Sequence, residues 1–293
     1  MNRPGCPPSA ARRPRRWPWI VGGVAGAAAA TVAYATLIEP RWLEQTRPLI
    51  HIRGLPRALE GLRIALLTDM HAGSARSLRR VRAAVRLVRA ARPDFVALAG
   101  DFAADDQPDF DRIFEALDPL EAPLGVYAVP GNHDYIVGIA RWREGLRHHP
   151  RIRDLTNRAV RLDVGGARLC VAGVDDFYRG TPRLDFLPPP VTRDLTILLA
   201  HGPDQAERLR RGGDAVDLVL SGHTHGGQVQ LPFLGAPVNS AEHPELYEEG
   251  LRRRPWTQVY TSRGIGTVGL PVRFLARPEV AILELTGAPR PTG

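Results

Sequence analysis

The sequence contains no lysine and only two cysteines, and each shortage excludes a class of chemistry. All 39 basic residues in its 293 positions are arginine. A mechanism that needs a Schiff-base lysine or a phosphate-binding lysine is therefore excluded. Two cysteines, Cys6 and Cys170, are too few for a disulfide framework. Cys170 lies in an apolar stretch, where a free cysteine is typically a small buried hydrophobic residue.

Long apolar runs are also scarce, and the single long one stands near the N-terminus. Hydrophobic residues make up 44% and charged residues 24% of the chain, which excludes a disordered or mostly membrane-embedded protein. Residues 17–38 form an uncharged stretch of 22 residues that can cross a bilayer as a helix. The basic head before it, residues 1–16, has five arginines and no acid. This order predicts a transmembrane anchor with a cytoplasmic N-terminus and an extracytoplasmic main domain.

Other interpretations of this segment stay open on the sequence alone. Ala33-Tyr34-Ala35 fits the cleavage site of a signal peptide, which would release an exported soluble form. The arginine pairs suggest a twin-arginine export signal, although the residues after Arg16 fit that pattern poorly. A buried Ala-rich helix of a soluble domain is the third alternative.

The net charge of +8 is concentrated in the basic head. The remaining 255 residues hold 34 arginines against 31 acids, which leaves them only mildly basic. No basic patch with interleaved aromatic residues is present, so we expect no nucleic-acid partner. Oligomeric state is not predicted.

The rest of the chain alternates short apolar runs with amphipathic stretches. We expect a linker over residues 39–61, one domain over 62–287 and a tail over 288–293. Alternating elements predict an α/β core, and the strand-rich second half predicts a second sheet. The predicted strands are Arg63–Thr68, Phe95–Ala99, Val126–Val129, Leu169–Val174, Leu195–Ala200, Leu218–Leu220, Val259–Thr261 and Val280–Leu285, and the predicted helices are Leu78–Ala91, Phe110–Leu117, Ile139–Arg147 and Asp204–Arg211.

Five of these predicted strands end in polar motifs. Ligands of open α/β sheets bind beyond the carboxyl ends of the strands, so these motifs predict one shared site. Imidazole nitrogen with carboxylate or amide oxygen suits Zn²⁺, Mn²⁺ or Fe, and a carboxylate such as Asp101 can bridge two ions. Residues two apart on an extended segment point the same way. Both members of Asp69-x-His71, and both members of His223-x-His225, can therefore reach one cluster. The predicted ligands are Asp69, His71, Asp101, Asn132, His201, His223 and His225.

The order of these motifs resembles the signature of the calcineurin-like metallophosphoesterases. That signature is Asp-x-His, Gly-Asp, Gly-Asn-His-Asp/Glu, a single His and then Gly-His-x-His. The similarity runs from about Arg63 to Leu285. Further segments, Glu39–Trp42, His225–Gln228 and Ser262–Gly266, are similar to a bacterial membrane-associated or exported branch that includes UDP-2,3-diacylglucosamine pyrophosphatases. The resemblance implies a four-layer αββα sandwich carrying an N-terminal transmembrane or signal helix.

The resemblance also implies a role for each motif residue. Asp69, His71 and His225 would bind one divalent cation, and Asn132, His201 and His223 the other, with Asp101 bridging them. The cations would be Mn²⁺, Zn²⁺ or Fe. His133 would lie beside the scissile phosphate as a general acid oriented by Asp134, and Asn132 would also contact a phosphate oxygen. Arg263, in a Gly-rich loop, is a candidate for substrate binding, and a polar loop at Asp175–Arg179 could line the same site.

The expected function is dimetal-dependent hydrolysis of a phosphodiester or pyrophosphate by in-line attack of a metal-bridging hydroxide. We expect a phosphorylated small molecule or a lipid as substrate, such as an envelope precursor at the inner membrane. Alternatives are nucleotides, nucleic acid or phosphoprotein as substrates, or a non-catalytic scaffold, against which the intact ligand set argues. One conflict remains, because the charge rule places the site outside the cytoplasm whereas UDP-2,3-diacylglucosamine is made inside.

Overall fold

Two β-sheets form the centre of the computed structural model, which describes residues 17–104, 109–187, 189, 195–212 and 216–287. The basic head and the tail lie outside these residues. The first sheet has the strand order β1-β13-β3-β4-β5-β6, and β2 also pairs with β13. Strands β3 to β6 are parallel, whereas β13 is antiparallel to β3. The bounds are β1 Glu44–Thr46, β2 Leu49–His51, β3 Arg63–Leu67, β4 Phe95–Ala99, β5 Val126–Val129, β6 Ile152–Asp154 and β13 Glu279–Thr286.

The second sheet comes entirely from the second half of the chain, as predicted. Its strand order is β11-β12-β10-β9-β8-β7. The four central strands β12, β10, β9 and β8 are parallel, and the two edge strands run antiparallel to their neighbours. The bounds are β7 Arg158–Val164, β8 Ala167–Gly173, β9 Leu195–Leu199, β10 Leu218–Ser221, β11 Gly250–Arg253 and β12 Gln258–Thr261.

The two sheets face each other, and helices cover their outer faces, which confirms the αββα sandwich. Between the sheets, Leu66 and Phe95 of the first sheet share one apolar cluster with Ile197 and Leu220 of the second. The outer face of the first sheet packs against α2, α3 and α4, while α5 and Tyr247 of α6 cover the second sheet. The bounds are α2 Ala75–Ala91, α3 Phe110–Leu117, α4 Asn132–His148, α5 Gln205–Gly212 and α6 Pro244–Tyr247.

The sequence explains where these helices begin. Ser74 caps α2, since its hydroxyl accepts the Ser77 N–H at 3.2 Å, and Asp109 caps α3 by accepting the Arg112 N–H at 3.1 Å. Helix α4 begins seven residues before the predicted Ile139 and is interrupted at Gly138, whose φ of 128° is not helical. The periodic pattern therefore identified only the part of α4 that follows this interruption.

The N-terminal apolar stretch forms helix α1, Trp17–Ala33, which continues as a π-helical turn over Tyr34–Ile38 and a 3₁₀ turn over Glu39–Arg41. Residues Val21–Arg41 are long and apolar enough to cross a membrane, although a signal sequence at this place has the same composition. Only 6% of the most apolar window is buried. The alternative of a buried helix within a soluble domain is therefore wrong.

Residues 39–61 differ from the linker that the sequence predicted. They contain β1 and β2, both paired in parallel with β13. Ile50, Ile52 and Leu59 are buried in the apolar cluster between the two sheets. Strands of three residues give little periodic pattern, and the prolines of this segment concealed them. The short or exposed strands β6, β7 and β11 went unpredicted for similar reasons.

Candidate metal centre

The loops that follow β3, β4, β5, β9 and β10 meet at one edge of the sandwich and bring the predicted ligands together. One cluster joins Asp69, His71 and His225, and another joins Asp101, His201 and His223, with the possible ligand atoms of each cluster within 4.8 Å of one another. Every one of these six residues is buried. Buried polar side chains at such density require partners, because an unpaired charge is costly away from water.

The first cluster is built around two facing imidazole nitrogens. His71 Nε2 lies 3.1 Å from His225 Nε2, and Asp69 Oδ1 lies 3.5 Å from the same nitrogen of His225. The Asp69 carboxylate is held in place by the His223 N–H at 3.0 Å and by the Thr68 hydroxyl at 2.9 Å.

The second cluster has the same character. His201 Nε2 lies 3.2 Å from His223 Nδ1 and 3.1 Å from Asn132 Oδ1. Asp101 connects the two clusters, because its Oδ2 is 3.2 Å from His201 Nε2 and 3.5 Å from His71 Nε2. A carboxylate between two groups of donors is the arrangement expected of a bridging ligand.

Backbone carbonyls determine which imidazole nitrogen of His201 and His223 faces the site. A carbonyl oxygen only accepts, so His201 donates from Nδ1 to Ala99 O at 2.8 Å, and His223 donates from Nε2 to Ser240 O at 3.2 Å. In the neutral rings this leaves lone pairs on His201 Nε2 and His223 Nδ1, the two atoms that face each other. Such outer hydrogen bonds are typical of metal-binding histidines.

Most of the predicted ligands have an unusual backbone conformation. Left-handed φ angles between 41° and 73° occur at Asp69, His71, Asp101, His223 and His225. Residues other than glycine adopt this region at a cost of about 1–3 kcal/mol each, and they persist where the surrounding structure holds them. The concentration of such residues at one sheet edge marks it as a functional site.

The charges of the site influence one another strongly. Burial alone would raise the pKa of Asp101, but His201 and His71 outweigh burial and hold that pKa well below its usual range. Burial raises the pKa of Asp69 to about 6, and the nearby Asp101 carboxylate adds to this effect. Burial and the adjacent His201 lower the pKa of His223 to about 3. The arrangement thus favours ionised Asp101 and neutral His223, the forms that bind cations.

The three remaining motif residues lie at the N-terminus of α4, which faces the clusters. His133 is partly exposed; its ring meets the His71 ring edge-on at 4.7 Å between centroids, and its N–H donates to Asp101 Oδ1 at 2.9 Å. Asp134 is fully buried and accepts the N–H groups of Gly131 at 2.9 Å and Phe102 at 3.0 Å. These bonds join the loops after β4 and β5. Burial and Asp101 raise the pKa of Asp134 to about 8.

Arg263, the predicted substrate contact, lies among three carboxylates. Its Nη2 is 2.7 Å from Glu44, and its Nε is 3.8 Å from Glu279 and 3.9 Å from Glu249. These partners give it a structural role, and its contact with substrate stays a prediction.

Two residues support the ligand histidines in ways that the sequence did not predict: Tyr178 was placed only in a polar loop that could line the site, and Arg273 was given no role. The Tyr178 ring stacks on His223, and Arg273 Nη2 lies 3.3 Å from His225 Nδ1. Arg273 is fully buried, and its guanidinium also donates to the carbonyls of Gly266 and Ala276 at 2.6 and 2.7 Å. No local pattern indicates either contact, because each joins segments more than 40 residues apart.

The donor set fits two divalent cations. Metal–ligand bonds of about 2.0–2.2 Å place neighbouring ligands of one ion roughly 3 Å apart. The facing nitrogens of each cluster show that spacing, at 3.1 and 3.2 Å. Nitrogen and oxygen donors without cysteine favour Zn²⁺, Mn²⁺ or Fe, but they do not select among these metals.

Comparison with known proteins agrees with this chemistry. The model of the family described as calcineurin-like phosphoesterase matches residues 62–227. The chain is 33% identical to the "uncharacterized metallophosphoesterase YkuE" of Bacillus subtilis, over 86% of this chain and 88% of that protein. It is 31% identical to "phosphodiesterase YaeI" of Escherichia coli, over 88% of this chain and 96% of that protein.

A third relative carries a membrane term in its name. The chain is 31% identical to the "transmembrane protein with metallophosphoesterase domain" of Bos taurus. The match covers 82% of this chain but only 56% of that protein. None of these three names mentions UDP-2,3-diacylglucosamine, so that narrower resemblance stays a prediction.

Proposed function

Because the chain belongs to the calcineurin-like phosphoesterase family and is a phosphoric ester hydrolase, we propose that it cleaves phosphodiester or pyrophosphate bonds with two divalent cations. The observation that carries this proposal is the pair of buried donor clusters connected by Asp101. When bound, the cations supply Lewis acidity towards phosphoryl oxygens and activate a water nucleophile. The residues that would hold them are Asp69, His71 and His225 on one side, Asn132, His201 and His223 on the other, and Asp101 between.

The chain's own residues then act on the substrate from the N-terminus of α4. His133 is the one motif histidine outside the two ligand sets, and its side chain is partly exposed. It is therefore placed to protonate the leaving oxygen. Asn132 is the first residue of α4, and the positive end of the helix dipole favours the anionic phosphate beside it. Asp134 holds this helix start against the Asp101 loop through its main-chain hydrogen bonds.

For the substrate, we propose a phosphorylated lipid or an envelope precursor at the inner membrane. The exposed apolar helix supports this choice, because it would hold the hydrolase at the bilayer surface. The basic head would place the catalytic domain on the extracytoplasmic side. A reporter fused to the C-terminus tests the topology: activity of a reporter that works only outside the cytoplasm supports it, and cytoplasmic activity contradicts it.

Hydrolysis of chromogenic esters tests the reaction itself. The full chain in detergent is freed of metal, supplied with Mn²⁺, Zn²⁺ or Fe²⁺, and given bis(4-nitrophenyl) phosphate or the monoester 4-nitrophenyl phosphate. We expect metal-dependent hydrolysis with the diester preferred. Preference for the monoester would contradict the proposed bond class, and no hydrolysis with any of the metals would contradict the catalytic proposal.

A further inference from the structure

An arginine-lined cavity of about 440 Å³ lies where the apolar N-terminal helix meets the catalytic domain. It is separate from both donor clusters and shares no residue with them. The first half of α2 forms one wall, and the end of the apolar helix forms another. Its lining includes Thr36 and Arg41 of that helical segment, Arg76, Arg79 and Arg80 of α2, and Pro271 of a neighbouring loop.

Among the described residues, no carboxylate compensates the positive charge of this cavity. No acid lines it, and none of its four arginines forms an ion pair with an acid in the described part of the chain. Arg80 donates to Pro40 O at 3.0 Å, yet its buried Nε has no hydrogen-bond partner among the described residues. Burial and the nearby Arg76 lower the pKa of Arg80. An anion in the cavity would relieve both the repulsion and the unpaired donor.

The position of the cavity relative to the apolar helix is fixed. Ala35 O accepts the Arg273 N–H at 2.9 Å, and Glu39 Oε1 accepts the Ala276 N–H at 2.7 Å. The Tyr34 ring also meets the Phe274 ring edge-on, at 6.4 Å between centroids. The helix end is therefore joined to the domain by direct contacts, and with the membrane attachment proposed above the cavity would lie where the helix leaves the bilayer.

Exposed apolar side chains are next in sequence to several residues that line this cavity. Leu37 and Ile38 are about half exposed on the helix end, and Leu270 is 72% exposed beside Pro271. Trp42, which is 49% exposed, follows the helix and lies under the Arg277 guanidinium at 3.7 Å. Aromatic residues beside a membrane span are typical of the bilayer interface. Cations flanked by exposed apolar side chains match a molecule with an anionic head and acyl chains better than they match free phosphate.

We infer that this cavity binds the phosphate headgroup of an anionic membrane phospholipid, with Arg41, Arg76, Arg79 and Arg80 as donors. The inference rests on the membrane attachment proposed above, but not on the hydrolytic reaction. A lipid held there orients the catalytic domain on the bilayer in addition to the attachment by the helix.

Native mass spectrometry of the full chain in dodecyl maltoside tests the inference. Dioleoyl phosphatidylglycerol or dioleoyl phosphatidylcholine is titrated into wild type, into the double variant R76A/R79A, and into R82A/R86A. The last variant removes two exposed arginines of the same helix that do not line the cavity. We expect one retained phosphatidylglycerol on wild type and on R82A/R86A, and roughly thirtyfold weaker retention on R76A/R79A.

Each other outcome overturns the inference. Equal losses in both double variants would mean general charge attraction, and equal retention of the two lipids would mean that the headgroup is not recognised. Displacement of the lipid by millimolar inorganic phosphate would identify a free-phosphate site instead. The rate of bis(4-nitrophenyl) phosphate hydrolysis should be the same in wild type, R76A/R79A and R82A/R86A. If wild type showed no hydrolysis, the proposed function would be contradicted, but the lipid result would still stand.

Discussion

The ring of Tyr178 stacks on the imidazole of His223, with 4.3 Å between centroids and 23° between the ring planes. The Tyr178 hydroxyl donates to Asp204 Oδ2 at 2.6 Å, and Asp204 also accepts the N–H groups of Glu242 and His243. Through Asp204, Tyr178 thus connects the predicted metal ligand His223 to the loop at Glu242 and His243, which no sequence motif marks. We regard it as a positioning residue.

This contact predicts a graded effect on metal affinity. Tyr178→Ala removes the surface that fixes the His223 ring, and we expect affinity for Mn²⁺ to fall about 10–100-fold, as for other outer partners of metal ligands. Tyr178→Phe keeps the ring and loses only the hydrogen bond to Asp204, so its loss should be smaller. Competition with a fluorescent chelator measures both. Unchanged affinity in Tyr178→Ala would show that the stacking does not support the site.

Asp101 should be required for both cations, because its Oδ2 faces His71 in one cluster and His201 in the other. Asp101→Asn preserves the shape of the side chain but removes the charge. We expect elemental analysis to fall from about two metal ions per chain to fewer than one, together with loss of hydrolysis. The control is Asp111→Asn, which neutralises an exposed acid of α3. Normal metal content in Asp101→Asn would contradict the bridging role.

His133 is expected to affect turnover without affecting metal content. Removal of a general acid lowers kcat about 10²–10⁴-fold, so His133→Asn should show a loss in that range with both cations retained. His148→Asn, at the exposed far end of the same helix, should leave kcat unchanged. Full turnover by His133→Asn would exclude the acid role.

Cation binding should also stabilise the fold. Without cations, the site holds the carboxylates of Asp69 and Asp101 buried and close enough for Asp101 to raise the pKa of Asp69. A ligand at 100 times its Kd contributes about 2.7 kcal/mol, which corresponds to a rise in Tm of roughly 5–10 °C for a domain of this size. Calorimetry of metal-free protein with and without Mn²⁺ measures the shift, and Asp101→Asn should show little of it. An equal shift in that variant would place the stabilising ion elsewhere.

The sequence predicted the parts of the fold and site that depend on local pattern. Buried strands such as Phe95–Ala99 and Val126–Val129 have the predicted bounds, and the motifs after them meet because parallel strands end at one edge. The short strand β1 was missed because its three residues carry too little pattern. The contacts of Tyr178 and Arg273 were missed because packing between distant segments creates them. The Glu39 segment was misinterpreted for the same reason, since Ala276, its partner, is 237 residues away.

The close approach of Gly222 to the side chains of Thr68 and Asp69 gives a final prediction. A Cβ at this position would stand 2.2 Å from Asp69 Oδ2 and 2.2 Å from Thr68 Oγ1. Its φ is not left-handed, so alanine fits the backbone, and the nearest atoms that the new Cβ would meet belong to these two side chains. Gly222→Ala should therefore displace Asp69, cost about 1–3 kcal/mol of stability and lower both Mn²⁺ affinity and kcat. Gly22→Ala, in the exposed apolar helix with nothing within 4 Å, should change neither. If Gly222→Ala lost stability but kept wild-type Mn²⁺ affinity, Asp69 would have moved without consequence, and its assignment as a ligand would have to be withdrawn.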